Sequence, residues 1–251
     1  MEEKEPIASQ PQSVSSCDGI VKGKCVQLLE NTDRLIIQRR VQDSEAWHSP
    51  NTYCIATDEK SLDNPLLMVN EEASNNMVLK ALFCCNQREC DLRVTDSSGT
   101  TIMWLEHPKN CNWPILCPSC TPGMIVRSSS GRILGYVNHS PRDTCGSCLP
   151  PSLYYDVHDS ENRQLLKIEG PACKFECCTT TTFRIFSSKW NSYIGEIGHE
   201  WQGTCDGIFS CCVSPDTDKT TMTFPREMGA NEKALLLGAL VLAHLNYFEQ
   251  M

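Results

Sequence analysis

Met124-Ile-Val-Arg-Ser-Ser-Ser-Gly-Arg-Ile-Leu-Gly-Tyr-Val137 is the stretch of sequence that decides the fold. Two short runs rich in β-branched and other apolar residues flank a turn of three serines and a glycine, which is the sequence form of a β-hairpin. Similar units recur at a spacing of about 30 residues, at Leu92–Leu105, Tyr155–Ile168 and Phe183–Ile197. Four such hairpins predict about eight antiparallel strands.

Further β-rich runs raise the expected number of strands to about twelve. These runs are Leu35–Val41, Tyr53–Ala56, Val78–Leu82 and Thr220–Phe224. A sheet of that size normally curls or closes, because closure removes its unpaired edges. We therefore predict a mainly β fold, a twelve-stranded antiparallel barrel. An open sandwich with a peripheral helix is the alternative.

The longest apolar run is Ala234–Phe248, which reads ALLLGALVLAHLNYF and predicts a hydrophobic α-helix. A bilayer span needs about 20 apolar residues, more than this run supplies. A helix that is apolar on every face is typical of a protein core, so the run is a candidate to fill the barrel. The alternative is a membrane anchor. The positions that represent this core or membrane helix are Ala234, Leu237, Leu240 and Phe248. As an anchor it would have a cytoplasmic N-terminal flank, set by Arg226 and Lys233.

Composition separates a tail from a domain. Residues 1–27 are rich in Glu, Ser, Gln and Pro, which predicts a disordered polar tail, and residues 28–251 form the expected barrel domain. The formal net charge of −9 argues against nucleic-acid binding, which needs a basic face. It also disfavours unaided docking on an anionic leaflet.

The chain contains 17 cysteines. Its first residues are acidic and no apolar stretch follows them, so we expect no secretory signal and a cytosolic location. A reducing compartment argues against a disulfide framework and leaves metal sites, lipidation or buried thiols as the roles for these cysteines.

Several short motifs in one order resemble the phospholipid scramblase family. They are Cys84-Cys85 with Cys90, Leu105-Glu-His-Pro108, Gly135-Tyr-Val137, Leu166-Lys-Ile-Glu-Gly-Pro171, Cys177-Cys178, Gly195-Glu-Ile197, Trp201-Gln-Gly203, Asp216-Thr-Asp218, Phe224-Pro225 and Gly238-Ala239. The resemblance covers roughly residues 28 to 251. It implies a tubby-like barrel of twelve strands around a C-terminal helix.

The same resemblance implies a function without bond chemistry. Family members are membrane-associated and mediate calcium-stimulated, ATP-independent, bidirectional movement of phospholipids, which dissipates plasma-membrane asymmetry. We accordingly expect a location at the cytoplasmic face of the plasma membrane, with a phospholipid membrane as partner and a homo-oligomer left open. The stretch Gly195–Gly203 lacks the lysines that serve nuclear import in some members, so nuclear entry by that route is not expected.

The resemblance assigns a calcium segment to the acidic loop before the helix. Counting Asp216 as position 1 gives EF-hand-like offsets, and calcium is bound by oxygen ligands of this kind. The candidate ligands are Asp216, Asp218, the Thr220 hydroxyl, the Met222 carbonyl and Glu227. Lys219 beside the site and Thr221 in place of the turn glycine predict weak binding. An ordinary solvated acidic loop is the alternative.

Two cysteine pairs carry competing predictions. Cys117 and Cys120 match the segment that receives palmitate-like acyl chains in the family, and two acyl chains anchor a protein stably. Together with Cys145 and Cys148, however, they form two CxxC pairs across a predicted hairpin, a spacing that suits tetrahedral zinc.

No catalytic motif accompanies these sites: the sequence lacks a G-x-S-x-G elbow, a phosphate-binding glycine loop and an HExxH helix. The runner-up function is therefore a lipidated, membrane-tethered interaction or signalling adaptor without scrambling activity.

Overall fold

The structure, a computed structural model, describes residues 28–40, 51–72, 90–108, 123–140, 152–171, 181–189, 191–200 and 219–245. Within these ranges, twelve antiparallel strands close into a barrel around one long α-helix, which confirms the predicted fold. The strands are β1 Arg34–Arg39, β2 Thr52–Ala56, β3 Leu67–Glu71, β4 Cys90–Asp96, β5 Thr101–His107, β6 Gly123–Ser128, β7 Ile133–Ser140, β8 Ser152–Asp159, β9 Gln164–Pro171, β10 Thr181–Ser187, β11 Ser192–Glu200 and β12 Lys219–Thr223. The helix, α1, is Ala230–Ala243. The tail 1–27 lies outside the described residues.

Each strand pairs with its neighbour in sequence, and the first strand pairs with the last. β1 runs antiparallel to β12 from Arg34 opposite Thr223 to Gln38 opposite Lys219. This pairing closes the sheet, so the barrel has no unpaired edge. Alternate residues point inward; for example, Leu166, Ile168 and Gly170 of β9 are buried while the residues between them are partly exposed.

Four of the hairpins share two features of their turns, as their sequence similarity predicts. The turns contain Gly99, Gly131, Asn162 and Asn191, and each of these residues has a positive φ. A register shift precedes each turn, at Val94/Thr95, Val126/Arg127, Val157/His158 and Ile185/Phe186. Glycine and asparagine tolerate this left-handed backbone better than other residues, which explains their recurrence in these turns.

Short polar side chains hold these turns closed. The Asp96 carboxylate accepts hydrogen bonds from the backbone N–H groups of Ser98 and Thr100, both at 2.9 Å. The Asp159 carboxylate accepts from the equivalent groups of Glu161 and Arg163, also at 2.9 Å. Such Asx turns compete with regular structure, so they end one strand and direct the chain into the next.

One predicted strand lies outside the described residues, and one observed strand was not predicted. Val78–Leu82 lies outside the described residues, so that prediction stays a prediction. β3 was missed, because its short sequence Leu67-Met-Val-Asn-Glu71 carries little β signal of its own. It is a strand because it pairs with β2 on one side and β4 on the other.

The helix α1 occupies the barrel interior. All residues from Lys233 to Ala243 are buried, on every side of the helix. The closest packing is against β6 and β7, where glycines allow the helix and the sheet to approach. A Cβ at Gly238 would lie 2.7 Å from Val126 Cγ2, and a Cβ at Gly135 would lie 2.8 Å from Leu235 Cδ2. These positions belong to two of the motifs that carry the family resemblance.

Candidate functional site

The first functional question is whether the apolar helix fills the barrel or anchors the chain. Ala234, Leu237 and Leu240 are at most 1% exposed, and all face strands of the barrel or its packed core. Phe248 lies outside the described residues. Among the described residues, none of the helices has the length and apolar character needed to cross a bilayer. The core role is therefore what the structure shows for the described part of this helix.

The helix begins at Ala230, four residues before the predicted start. The Glu232 carboxylate accepts a hydrogen bond from the Gly229 backbone N–H at 3.3 Å, which satisfies a donor at the helix N-terminus. A carboxylate in the first turn also interacts favourably with the helix dipole. The start was misplaced because the prediction followed hydrophobicity alone and excluded the polar first turn.

Lys233 lies inside the barrel mouth and is fully buried. Its ammonium lies 2.7 to 3.0 Å from four backbone carbonyls, those of Leu29, Glu30, Thr32 and Arg226, and its three protons are shared among these four acceptors. The first two belong to a helical turn that ends at Glu30, just before β1. One buried cation therefore ties the start of the domain, the loop after β12 and α1 together.

This arrangement differs from the flank predicted for a membrane anchor. Burial lowers the pKa of the Lys233 ammonium, and the carboxylates of Asp33 and Glu227 oppose that shift. The ring of Phe224 also lies 5.6 Å from the ammonium. Arg226, the other predicted flank cation, forms an ion pair with Asp33 at 2.9 Å. In the described structure both cations therefore make contacts within the barrel domain.

A second polar cluster lies at the far end of α1. The Thr220 hydroxyl is fully buried and lies 2.9 Å from His199 Nδ1 and 3.3 Å from His244 Nδ1. A hydroxyl has one proton, so the Thr220 hydroxyl can donate to at most one of the two rings, and its oxygen can accept from a protonated ring nitrogen. The ring of Tyr53 meets His244 edge-on at 5.3 Å. The cluster links β2, β11, β12 and α1.

This cluster bears directly on the calcium prediction. Thr220 points into the barrel and Met222 is a fully buried residue of β12, paired with Leu35 and Ile197. Strand β12 extends about 13 Å from Lys219 to Thr223 at about 3.3 Å per residue. The exposed Glu227 follows that strand, so it is beyond the opposite end from Lys219. Thr220, Met222 and Glu227 therefore do not fit a shared ion in an EF-hand-like loop.

The remaining predicted ligands are outside the described residues. These are the carboxylates Asp216 and Asp218 and the four cysteines Cys117, Cys120, Cys145 and Cys148. Among the described residues, no group of three His, Cys, Asp or Glu side chains is placed to hold a metal ion. Calcium binding at Asp216 and Asp218, acylation and zinc binding all stay predictions.

Two cysteines can be described, and both are buried thiols. Cys54 of β2 is 6% exposed and Cys90 of β4 is 3% exposed. Burial raises the pKa of the Cys54 thiol, although the Arg40 guanidinium acts in the opposite direction. A thiol held protonated and out of solvent is a weak nucleophile, so Cys54 is a packing residue.

Comparison with known proteins agrees with the fold and its motifs. A family model described as Scramblase matches residues 15–250. The chain belongs to the scramblase family. No solved structure matches the chain significantly.

Curated relatives extend the match over most of the chain. Human phospholipid scramblase 2 is 26% identical over 229 residues, covering 90% of this chain and 70% of that protein. Mouse phospholipid scramblase 1 is 29% identical over 234 residues, covering 90% of this chain and 64% of that protein. Human phospholipid scramblase family member 5 is 25% identical over 229 residues, covering 89% and 77%. The chain thus spans about two thirds of the length of such relatives.

The polar clusters at the two ends of α1 were not predicted from sequence. His244 offered a weak signal, because it interrupts an otherwise apolar run and therefore needs a buried partner. Lys233 offered none, since a lysine beside a hydrophobic helix is equally typical of a solvated helix end.

Proposed function

We propose that this chain is a phospholipid scramblase, which moves phospholipids in both directions between membrane leaflets without ATP and under stimulation by calcium. The observation that carries the proposal is the Scramblase family match over residues 15–250, together with curated relatives named as phospholipid scramblases. The proposed place of action is the cytoplasmic face of the plasma membrane, and no covalent bond is made or broken.

The proposed physical step is a reduction in the free energy needed to carry a polar headgroup through hydrocarbon, where an unpaired polar group costs several kcal/mol. The barrel interior is filled by α1, whose residues from Lys233 to Ala243 are buried. The proposed route for the headgroup therefore follows the outside of the barrel rather than its interior.

Reconstitution tests this function. Purified full-length protein is incorporated into phosphatidylcholine vesicles, and exchange of a fluorescent phospholipid between leaflets is followed by quenching of the outer leaflet, with and without calcium. The matched control is Leu237→Lys, which we expect not to fold, at the same protein-to-lipid ratio. The expected result is exchange above both control and empty vesicles, without ATP; exchange no faster than the controls in either condition refutes the activity.

A separate experiment tests calcium stimulation at Asp216 and Asp218, the two carboxylates on which the calcium proposal now depends. Asp216→Ala with Asp218→Ala should abolish calcium binding in titration calorimetry and the calcium-stimulated part of exchange. Asp63→Asn, an exposed carboxylate in the β2–β3 connection, is the control. With few carboxylates, affinity on the order of 10⁻⁴ to 10⁻³ M is expected. A double variant that binds calcium as tightly as the parent rules this segment out.

A second candidate function is a lipidated, membrane-tethered adaptor, and the filled barrel is the observation that favours it. Acylation of Cys117 and Cys120 would supply the tether, since two acyl chains give stable anchoring. Mass spectrometry of the protein from cells, with and without hydroxylamine, tests for the thioesters. Zinc bound to Cys117, Cys120, Cys145 and Cys148 is the competing role; about one zinc per chain by metal analysis would exclude acylation of that pair.

A further inference from the structure

A cleft of about 450 Å³ opens on the outer surface of the barrel, between β9 and the turn of the β10–β11 hairpin. Volumes of about 300–1,000 Å³ are typical of small-molecule sites. The residues that line it are Gln164, Lys167, Glu169, Phe186, Ser187, Ser188 and Asn191. Most of these side chains are polar, and they include both hydrogen-bond donors and acceptors.

The cleft lies beside the one hairpin that departs from the repeated turn. In the other three hairpins, the residue with positive φ comes four positions after the register shift, as from Thr95 to Gly99. In the fourth, five positions separate Phe186 from Asn191. The longer turn is held against β9 by a hydrogen bond from the Ser188 backbone N–H to the Leu165 carbonyl at 2.9 Å.

Lys167 and Glu169 give the cleft one positive and one negative group. They are two residues apart on β9, so both side chains face outward. Lys167 Nζ lies 4.0 Å from the Glu169 carboxylate, and the side chains are 28% and 36% exposed. That distance is the outer limit of an ion pair, so the ammonium can still donate hydrogen bonds to a ligand and the carboxylate can still accept them.

A tyrosine on the neighbouring strand positions this pair. The Tyr154 hydroxyl donates a hydrogen bond to Glu169 at 3.3 Å, and Lys167 Nζ lies 4.8 Å from the centre of the Tyr154 ring. On the other side, Phe186 is the cross-strand partner of Lys167. Asp156 faces Lys167 from β8, but its carboxylate accepts a hydrogen bond from Gln164 at 2.7 Å.

We propose that this cleft binds the headgroup of an ethanolamine phospholipid. The phosphate is bound by Lys167 with the hydroxyl of the exposed Ser188, and the primary ammonium donates to the Glu169 carboxylate. The assignment to a lipid, rather than a free phosphoethanolamine, rests on the proposed function. The binding of the headgroup itself does not.

The lining residues discriminate among related headgroups. Choline cannot donate a hydrogen bond to Glu169, and its recognition uses a cage of aromatic faces, whereas Phe186 is the one ring that lines the cleft. Phosphoserine brings a further carboxylate, and Lys167 is the one cation among the lining residues. A headgroup without net charge is also not repelled by a chain of net charge −9.

Titration calorimetry of the full chain with soluble glycerophosphoethanolamine tests the site. Glycerophosphocholine, glycerophosphoserine and inorganic phosphate serve as comparison probes. Lys167→Gln and Glu169→Gln should each weaken binding of the first probe about tenfold, the effect of losing one charge-assisted hydrogen bond. Lys60→Gln and Asp63→Asn remove the same charges at exposed positions elsewhere and should leave binding unchanged. Lys167→Arg keeps the charge and should restore most of it.

The outcomes separate the site from the function. Inorganic phosphate binding as tightly as glycerophosphoethanolamine, or unchanged binding in both Gln variants, overturns the proposal. In vesicles, the lipid source is supported if the two variants slow exchange of labelled phosphatidylethanolamine more than that of labelled phosphatidylcholine. Headgroup binding that depends on Lys167 and Glu169, without exchange of any lipid, upholds the site and refutes scrambling. Lipid exchange in vesicles, together with no detectable binding of glycerophosphoethanolamine in calorimetry, refutes the headgroup site but not the scrambling activity.

Discussion

Replacing Lys233 by methionine should destabilise the barrel, although methionine is apolar and nearly the same length. Four carbonyls lose their ammonium donor. The Leu29 carbonyl keeps hydrogen bonds from Thr32, and those of Glu30 and Arg226 are only partly buried, so water can replace the ammonium there. Among the described residues, no second donor to the buried Thr32 carbonyl replaces the ammonium. An orphaned buried acceptor costs about 1–3 kcal/mol.

The lost bonds at the partly buried carbonyls add about 0.5–1.5 kcal/mol each, and relief of the ammonium's desolvation offsets part of this. We therefore expect a loss of about 2–4 kcal/mol. At about 2–4 °C per kcal/mol for a chain of this size, the melting temperature should fall by about 5–15 °C. Thermal unfolding followed by circular dichroism measures the shift. Lys60→Met, at an exposed lysine, is the control and should change stability by no more than about 0.5 kcal/mol.

The pH dependence gives a second measurement on the same variant. Burial lowers the pKa of Lys233 from its ordinary value of 10.5, so the unfolded chain binds more protons between the lowered value and 10.5. The parent should therefore gain stability as pH rises through that window, and Lys233→Met should lack that gain. A methionine variant that melts within 2 °C of the parent, on the order of the scatter for surface substitutions, would refute the role of the ammonium.

Three further predictions concern the core, a histidine and the thiols. Leu237→Lys puts an unpaired charge into the filled barrel and should abolish the cooperative unfolding transition in calorimetry. If the isolated fragment 28–233 is soluble and unfolds cooperatively, the core role of α1 is contradicted. His139 packs edge-on against Tyr155 at 5.9 Å, and burial lowers the pKa of its imidazole. The unfolded chain therefore binds more protons below about pH 6.5, and the free energy of unfolding should decrease as the pH is lowered through that range. Denaturant titrations should show a smaller pH dependence in His139→Phe. Cys54 and Cys90 should resist iodoacetamide in the native protein and react after unfolding, as peptide mass spectrometry would show, and rapid native labelling of either would contradict their burial.

The hairpins could be predicted because their information is local. A turn such as Asp96–Thr100 contains its own hydrogen-bond acceptors and its own glycine, and the flanking alternation fixes which side chains face inward. Closure followed from strand number, since a twelve-stranded sheet avoids free edges by closing. β3 was missed for the opposite reason, because its strand conformation depends on pairing with β2 and β4 rather than on its own residues.

The polar clusters could not be predicted because their partners are far apart in sequence. Lys233 meets carbonyls that lie 201 to 204 residues earlier in the chain. The calcium offsets failed at Thr220 and Met222 because counting positions assumed a loop, whereas pairing with β1 and β11 extends that segment into a strand. Periodicity also could not decide the place of α1, since a helix that is apolar all round suits a protein core and a bilayer alike.

The contacts at the two ends of α1 bear on how the proposed lipid movement would use the barrel. At one end Lys233 is bound to four carbonyls, and at the other His244 shares the Thr220 hydroxyl with His199. Withdrawing the helix to open a lumen would break both clusters and expose an apolar core, at a cost comparable to unfolding. A headgroup route outside the barrel requires no such opening. It needs only surface groups that exchange water for phosphate and ammonium, which is the chemistry that Lys167 and Glu169 present.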